Sequence, residues 1–208
     1  MKQACRLCKT SADFFYQDTQ KYFRCPNCKA IFTAYEDLVA PKDEQERYEL
    51  HDTEIDAGYR KFVSPITSNI LHDFSQDDQG LDFGAGRSQI ISKVLAENNY
   101  KIKNYDPFFA NKPELLEDTY NYISSCEVIE HFHEPRKEFE LLRIMLKKGG
   151  KLYLMTELYD DSIDFEKWYY KNDPTHVFFY TKETFEWIAK EFNLTLHQCE
   201  KRLVIFSN

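Results

Sequence analysis

Two C-x-x-C pairs, Cys5-Arg6-Leu7-Cys8 and Cys25-Pro26-Asn27-Cys28, stand near the start of the chain with sixteen residues between them. That spacing falls within the C-x2-C-x15–20-C-x2-C pattern of structural zinc sites. Each knuckle turns two thiolates toward one point, and two knuckles complete a tetrahedron around Zn²⁺. The intervening Asp13–Gln17 and Lys21–Arg24 read as the two strands of a hairpin. A ribbon this small cannot bury a core of its own, so metal must supply its folding energy. Cys5, Cys8, Cys25 and Cys28 are therefore the expected ligands of a structural Zn²⁺, and with four cysteines in place no position is open for catalysis. Disulfides do not suit a chain of intracellular character, and a redox C-x-x-C does not come doubled at this spacing. The other two cysteines, Cys126 and Cys199, lie in apolar stretches and read as buried small residues.

The rest of the chain has the makings of a larger core. Hydrophobic residues make up 42% of the 208 and charged residues 30%, and seventeen Phe with fourteen Tyr exclude a disordered chain. No apolar run approaches the ~18–20 residues that span a bilayer. Met1–Arg6 lacks the apolar stretch of a secretory signal, so a cytoplasmic protein without membrane contact is the expectation. Charge is spread unevenly: residues 1–34 carry six Lys/Arg against two Asp/Glu, and residues 35–208 carry 21 against 33. A phosphate backbone rewards clustered Lys and Arg. The acidic bulk therefore favours a small-molecule partner over nucleic acid.

The pattern divides the chain into a ribbon over 1–34, a polar connector with a helical cover over 35–75, and a larger domain over 76–208. Lys42 to His51 suits a short helix. Tyr59, Phe62, Val63, Ile66, Ile70, Leu71 and Phe74 recur at helical spacing, with Pro65 as a turn or kink inside the run. From Gly80 onward strand and helix signals alternate. Strands are expected at Gly80–Phe83, Ile102–Tyr105, Tyr122–Cys126 and Lys151–Thr156, with a short helical stretch at Pro113–Asp118. A helix starts at Pro135 and is expected to stop at Gly149-Gly150. Thr181 reads as the N-cap of a helix carrying Phe185, Ile188 and Phe192, and two closing strands follow at Thr195–Gln198 and Leu203–Phe206. This alternation predicts an α/β fold: a Rossmann-like, mostly parallel sheet of seven or six strands, helices on both faces and an antiparallel final strand.

Asp82-Phe83-Gly84-Ala85-Gly86 follows a strand and opens a helix, and twenty residues after Gly86, at the end of the next strand, stands Asp106. Glycines in such a turn bring backbone N–H groups against a ligand, and a carboxylate at that later position can accept from both hydroxyls of a ribose. A plain strand–helix turn with Asp106 as its cap is the alternative. The third glycine of a dinucleotide fingerprint is replaced by Gln89, and the Gly-Lys-Ser/Thr of a phosphate loop is missing. Asp82 would repel a pyrophosphate but can accept from the ammonium of an amino-acid cofactor. S-adenosylmethionine (SAM) carries that ammonium together with a ribose and a sulfonium.

Residues 80–206 resemble a class I SAM-dependent methyltransferase, close in pattern to the ubiquinone-biosynthesis type. The resemblance lies in Leu81-Asp82-Phe83-Gly84-Ala85-Gly86, Tyr105-Asp106-Pro107, Cys126-Glu127-Val128-Ile129-Glu130-His131-Phe132 and Leu146-Lys147-Lys148-Gly149-Gly150. It implies Asp82, Phe83, Gly84, Ala85 and Gly86 beside the methionine part of SAM, Tyr105, Asp106 and Pro107 around the ribose, and the Cys126–Glu127 backbone near the methyl donor. Only fifteen residues separate Asp106 from the Tyr122 strand, so the family's third strand is short or missing and its adenine contact is unassigned.

Methyl transfer is an in-line displacement catalysed by positioning and desolvation, and a base is needed only where the acceptor loses a proton. His131 and His176 are the candidates, each with a purely structural role as the alternative, and His133 reads as structural. Trp168-Tyr169-Tyr170 is either an acceptor wall or plain packing, and Tyr59-Arg60 either reaches the cofactor carboxylate or sits on the surface. The expected activity is methyl transfer from SAM to a small-molecule or saccharide-linked acceptor at oxygen. An RNA acceptor docked through the ribbon and a non-catalytic binder on a degenerate fold are the alternatives.

Overall fold

The computed structural model describes residues 1–49 and 57–208. The first knuckle is flanked by β1 (Lys2–Ala4) and β2 (Ser11–Gln17), the second by β3 (Lys21–Arg24) and β4 (Ile31–Thr33). Two helices follow, α1 (Pro41–Glu49) and α2 (Ala57–Asp73). The helix expected over Lys42–His51 is thus seen through Glu49, and residues 50 and 51 lie outside the described residues. Pro65 sits inside an unbroken α2. Its ring removes the N–H that would reach the Lys61 carbonyl, and the Ser64 hydroxyl donates to that carbonyl at 2.7 Å instead.

The second sheet runs through β5 (Gln79–Phe83), α3 (Ile90–Ala96), β6 (Lys101–Tyr105), β7 (Tyr120–Cys126), α4 (Pro135–Met145) and β8 (Leu146–Met155). After a long connection carrying β9 (Phe178–Phe179) come α5 (Lys182–Glu191), β10 (Thr195–Glu200) and β11 (Leu203–Ser207). Six strands are hydrogen-bonded in the order β10-β11-β8-β7-β5-β6. The β8–β7–β5–β6 block is parallel, and β11 and β10 are antiparallel additions. Of the seven or six strands expected, six form. A single 3-10 turn, Pro113–Glu117, stands where the short third strand would lie, which leaves β6 as the sheet edge.

One prediction fails locally. Gly149-Gly150 does not end α4, which stops at Met145; strand β8 begins at once at Leu146 and carries both glycines. The pairing with β7 slips between Tyr120 and Tyr122 at this point. A Cβ on Gly150 would come 2.9 Å from the carbonyl oxygens of Asn121 and Lys147, so the pair makes a bulge rather than a helix stop. At the other end of the domain Thr181 caps α5 as expected, with a reciprocal bond to Thr184.

Both faces of the six-stranded sheet are covered. Val63, Ile66 and Ile70 of α2 with Ile90, Ile91 and Leu95 of α3 bury one face, and Phe139, Leu142, Phe185 and Ile188 of α4 and α5 bury the other. The second of these cores continues without a break into Phe23, Phe32 and the ribbon cysteines. The link is a strand pairing: β9 adds to β4 with Ile31 opposite Phe179 and Phe32 opposite Phe178, giving the ribbon a five-stranded sheet. Two residues from the far end of the chain thus complete a sheet that 1–34 alone was expected to make. Phe32 and Phe178 stack at 6.0 Å across this pairing, and both are fully buried. Phe178→Ala should cost about 3–5 kcal/mol in a denaturant titration, with the ribbon and the large sheet melting in one transition.

Candidate active site

A cavity of about 860 Å³ opens at the carboxyl ends of β5, β6 and β7, where ligands gather in open parallel sheets. Its first wall is the turn after β5. Gly84 has φ +77°, and a Cβ there would lie 2.4 Å from Cγ2 of Val128, so only glycine fits. The Gly84 and Ala85 N–H groups donate to the Tyr105 carbonyl at 2.8 and 3.1 Å, which ties the turn to the end of β6. Gly86, at φ +60°, faces open space, with nothing within 4 Å of the point a Cβ would occupy. Phe83, Ala85, Pro107, Phe108 and Phe109 supply the apolar lining on this side.

Two carboxylates stand in that wall. Asp82 is buried, accepts from the Ser124 hydroxyl at 2.8 Å, and is pushed up to about 7 by desolvation, with the charge of Asp106 adding to the effect. Asp106 accepts three backbone N–H groups: Gly86 on Oδ2 at 2.9 Å, and Phe108 and Phe109 on Oδ1 at 2.9 and 3.0 Å. It therefore caps its own loop and holds the glycine turn. Both residues line the cavity; Asp106 Oδ1 is filled by its two donors, while Asp106 Oδ2 and the Asp82 carboxylate keep acceptor capacity.

The opposite wall grows out of the end of β7. Glu127 has φ +52°, a left-handed conformation that strains a non-glycine residue; its N–H donates to the Met155 carbonyl at 2.8 Å. Its carboxylate is paired with Arg202 at 3.0 Å and lies 3.1 Å from the Tyr170 hydroxyl, yet burial still moves its pKa upward. Glu130, fully buried, accepts from Tyr170 at 2.6 Å and from Thr156 at 3.0 Å. Desolvation first, then the neighbouring Glu127, push it up to about 8, so it holds a proton at neutral pH. Cys126 lines the cavity with its thiol pushed well above the usual range by burial.

His131 and His176, expected from sequence alone, meet here with ring centroids 4.8 Å apart. His131 Nδ1 lies 2.9 Å from the Thr175 carbonyl and His176 Nδ1 lies 2.7 Å from the Tyr170 carbonyl. Only an N–H can bond a carbonyl oxygen, so both rings carry hydrogen on Nδ1 and present Nε2 as the basic nitrogen. Burial drives His131 down to about 3. His176 is lowered too, chiefly by burial, with Asp173 opposing the shift.

Other residues fall outside the cavity or join it unannounced. Trp168 and Tyr170 pack into an aromatic cluster with Tyr22, Phe165 and Phe179 instead of lining the cavity. Arg60 is bound to Glu97 at 2.7 and 2.8 Å on the surface, while Tyr59 does line the cavity. His133 lines it as well, 4.0 Å from Glu44. Glu138 of α4 and Arg87, passed over in the sequence, also face the cavity; nothing in their spacing distinguishes them from surface charges. Glu130 had a signal, its place inside the Glu-Val-Ile-Glu-His run.

Among the described residues, two groups bring ligand atoms within 4.8 Å of one another: Cys5, Cys8, Cys25 and Cys28, and Glu130, His131 and His176. In the first, Cys5 and Cys28 sulfurs are 3.6 Å apart and those of Cys8 and Cys25 are 3.3 Å apart. A tetrahedron with Zn–S bonds of about 2.3 Å has edges of about 3.8 Å, so the four sulfurs fit Zn²⁺. No helix of the described chain is long and apolar enough to cross a membrane.

A family model described as a methyltransferase domain matches residues 55–199. No match is found among curated proteins. Solved structures share the fold. One is a 1,6-didemethyltoxoflavin-N1-methyltransferase from Burkholderia thailandensis with bound 1,6-didemethyltoxoflavin and S-adenosylhomocysteine. It is similar over 94% of this chain and 97% of that one, at 12% identity and a TM-score of 0.57. The magnesium protoporphyrin IX methyltransferase of Synechocystis PCC 6803, with bound SAH, is similar over 81% and 94%, at 12% identity and a TM-score of 0.55. Human N-acetylserotonin methyltransferase in complex with SAM is similar over 81% of this chain and 56% of that one, at 10% identity and a TM-score of 0.52.

The protonated Glu130 gives a pH signature. An unfolded glutamate ionises near pH 4.3, whereas the folded one keeps its proton to about 8. Between those values the folded state binds more protons, so stability must fall as pH rises. Glu130→Gln removes this dependence, and in melts from pH 5 to pH 8 the wild type should lose ground steadily against the variant.

Proposed function

This chain belongs to the methyltransferase-domain family, and from that premise we propose that it transfers a methyl group from SAM to a hydroxyl of a small or saccharide-linked acceptor. One observation carries the proposal: a single cavity has the Gly84–Gly86 turn with Asp82 and Asp106 on one side and His131 with His176 on the other. At about 860 Å³ it is near the upper end of small-ligand sites, about 300–1,000 Å³, which suits a cofactor together with an acceptor. In this reading Asp82 receives the cofactor's ammonium beside Phe83, Gly84, Ala85 and Gly86. Tyr105, Asp106 and Pro107 surround the ribose, and Cys126 and Glu127 flank the methyl group. Residues 1–34 form a Zn²⁺ ribbon on Cys5, Cys8, Cys25 and Cys28, residues 35–75 the cover and 76–208 the SAM-binding part.

The chemistry is a displacement at the methyl carbon. The acceptor oxygen forms the new C–O bond as the C–S bond breaks, and that electron pair stays on sulfur. The hydroxyl proton goes to Nε2 of His176. His131, whose proton affinity is driven down furthest, serves as its neutral neighbour and shapes the pocket. The acidic chain outside the ribbon, 33 Asp and Glu against 21 Lys and Arg, speaks against an RNA acceptor.

A second reading adds a divalent cation. Glu130, His131 and His176 each offer an atom within 4.8 Å of the others, and both Nδ1 atoms are fixed by carbonyls, the arrangement that presents Nε2 to a metal. A bound cation would lower the pKa of the acceptor hydroxyl. Titrating Mn²⁺ into zinc-loaded protein while following its spin-resonance signal separates the two. Stoichiometric capture that Glu130→Gln abolishes supports the cation, and no capture leaves His176 as the proton acceptor.

The cofactor assignment is tested by calorimetric titration with S-adenosylhomocysteine. One-to-one binding is expected, weakened about ten-fold or more by Asp106→Ala through loss of charged hydrogen bonds. Because Asp82 titrates at about 7 and an ammonium favours its ionised form, binding near pH 6.5 should release a fraction of a proton and tighten toward pH 8. Asp82→Asn should remove both effects. Absence of binding by folded protein would overturn the proposal.

A further inference from the structure

We infer that the first knuckle of the ribbon positions the His176 imidazole, with Arg6 as the positioning residue that links the two; the inference rests on the acceptor-side role proposed for His176. Arg6 stands between Cys5 and Cys8 and has 0% of its surface exposed. Its guanidinium lies 5.7 to 5.8 Å from the ring centroids of Phe32, Tyr35 and Phe178. Nη2 donates to the carbonyl oxygen of Val177, the residue after His176.

Val177 is gripped from both sides. Its carbonyl also accepts the Thr33 N–H of β4 at 3.0 Å, while its own N–H donates to the Glu130 carbonyl at 2.9 Å. The ribbon therefore holds one end of this residue and the cavity wall the other. The residues just before it set both rings: the Thr175 carbonyl receives His131 Nδ1, and His176 turns its own Nδ1 to the Tyr170 carbonyl. A shift of the Val177 carbonyl must move the pair. Further ribbon contacts act on the same segment, Lys171 with Asp18 at 2.5 Å and Gln20 with the Pro174 carbonyl at 3.5 Å.

The knuckle also has a reason to respond to metal. Nε and Nη1 of Arg6 have no hydrogen-bond partner among the described residues, so this enclosed cation depends on charge nearby. Four thiolates around Zn²⁺ carry a net −2, and Cys5 is its sequence neighbour. Loading of the four-cysteine site thus anchors Arg6, Arg6 anchors Val177, and the imidazoles follow.

The test uses the full chain, wild type with and without zinc extraction by chelator, together with Arg6→Gln and Arg6→Lys. Zinc per chain, amide hydrogen exchange and nitrogen-15 imidazole spectra are read on each. Arg6→Gln should keep its zinc and bind S-adenosylhomocysteine as the wild type does. Its amides at 175–179 should exchange about ten-fold faster, and His176 should lose its single Nδ1–H signature. Arg6→Lys should recover part of the protection, and zinc extraction from the wild type should reproduce the loosening. Unchanged exchange and imidazole signals in zinc-bearing Arg6→Gln would overturn the inference, as would an equal loosening of β7. Should Arg6→Gln fail to fold, extraction of zinc from the wild type decides alone: protection at 175–179 that survives it is the overturning result. If wild type fails to bind S-adenosylhomocysteine, the cofactor reading falls while the exchange data still judge the coupling.

Discussion

Two sheets become one molecule through a pairing only two residues long, β4 with β9. A strand of two residues makes too few hydrogen bonds to persist by itself. It holds because Phe178 and Phe179 are buried on its two sides, one against Phe32 and the other in the cluster around Tyr22, Phe165 and Trp168. Apolar burial on both faces thus substitutes for strand length. The segment so fixed is the one that brings His176 to the cavity, so the ribbon is part of the scaffold of that wall, which is set by contacts on opposite sides of a single stretch of backbone.

The cavity wall beyond β7 is governed by desolvation more than by ion pairing. Glu130 is kept neutral although two hydroxyls donate to it, because complete burial outweighs what those bonds return to the charged form. Just before it in the same wall, Glu127 has Arg202 beside it and still shifts upward. The imidazoles are held neutral by the same cause acting with opposite sign on a base. The wall as a whole carries little net charge, despite the acidic composition of the chain. For the methyl transfer proposed above, such an environment would leave a sulfonium poorly solvated before it becomes a neutral sulfide.

Local signals were legible where one short segment contains the whole cause. The glycine turn, the Thr181 cap, the cysteine knuckles and the alternation of strands and helices all depend on neighbours within a few residues. The six-stranded sheet and its antiparallel end followed from them. What escaped depends on distant partners. Nothing in Phe178-Phe179 announces a strand, since its partner lies near the other end of the chain, and Trp168 and Tyr170 needed that docking to become core instead of pocket wall, with Tyr169 between them left exposed. Gly149-Gly150 carries a helix-stop signature, yet the close approach of the Asn121 carbonyl from a neighbouring strand decides its role. Asp106 was legible as a polar group at the right strand end. Its capping of the glycine turn was legible as the plainer alternative, and the two further N–H groups it ties down in its own loop were visible only in three dimensions.

The single turn at Pro113–Glu117 that replaces a strand has a cost and a remedy. It leaves β6 with one row of backbone donors and acceptors unpaired along the rim of a parallel sheet, the kind of surface that recruits strands from other molecules. The rim strand reads Lys-Ile-Lys-Asn-Tyr, and Lys101 and Lys103 are drawn to Asp77 and Asp118 on the flanking loops at 3.7 and 2.8 Å. An approaching strand would have to strip water and counter-charge from both lysines. The chain thus guards against self-templated aggregation with two side chains.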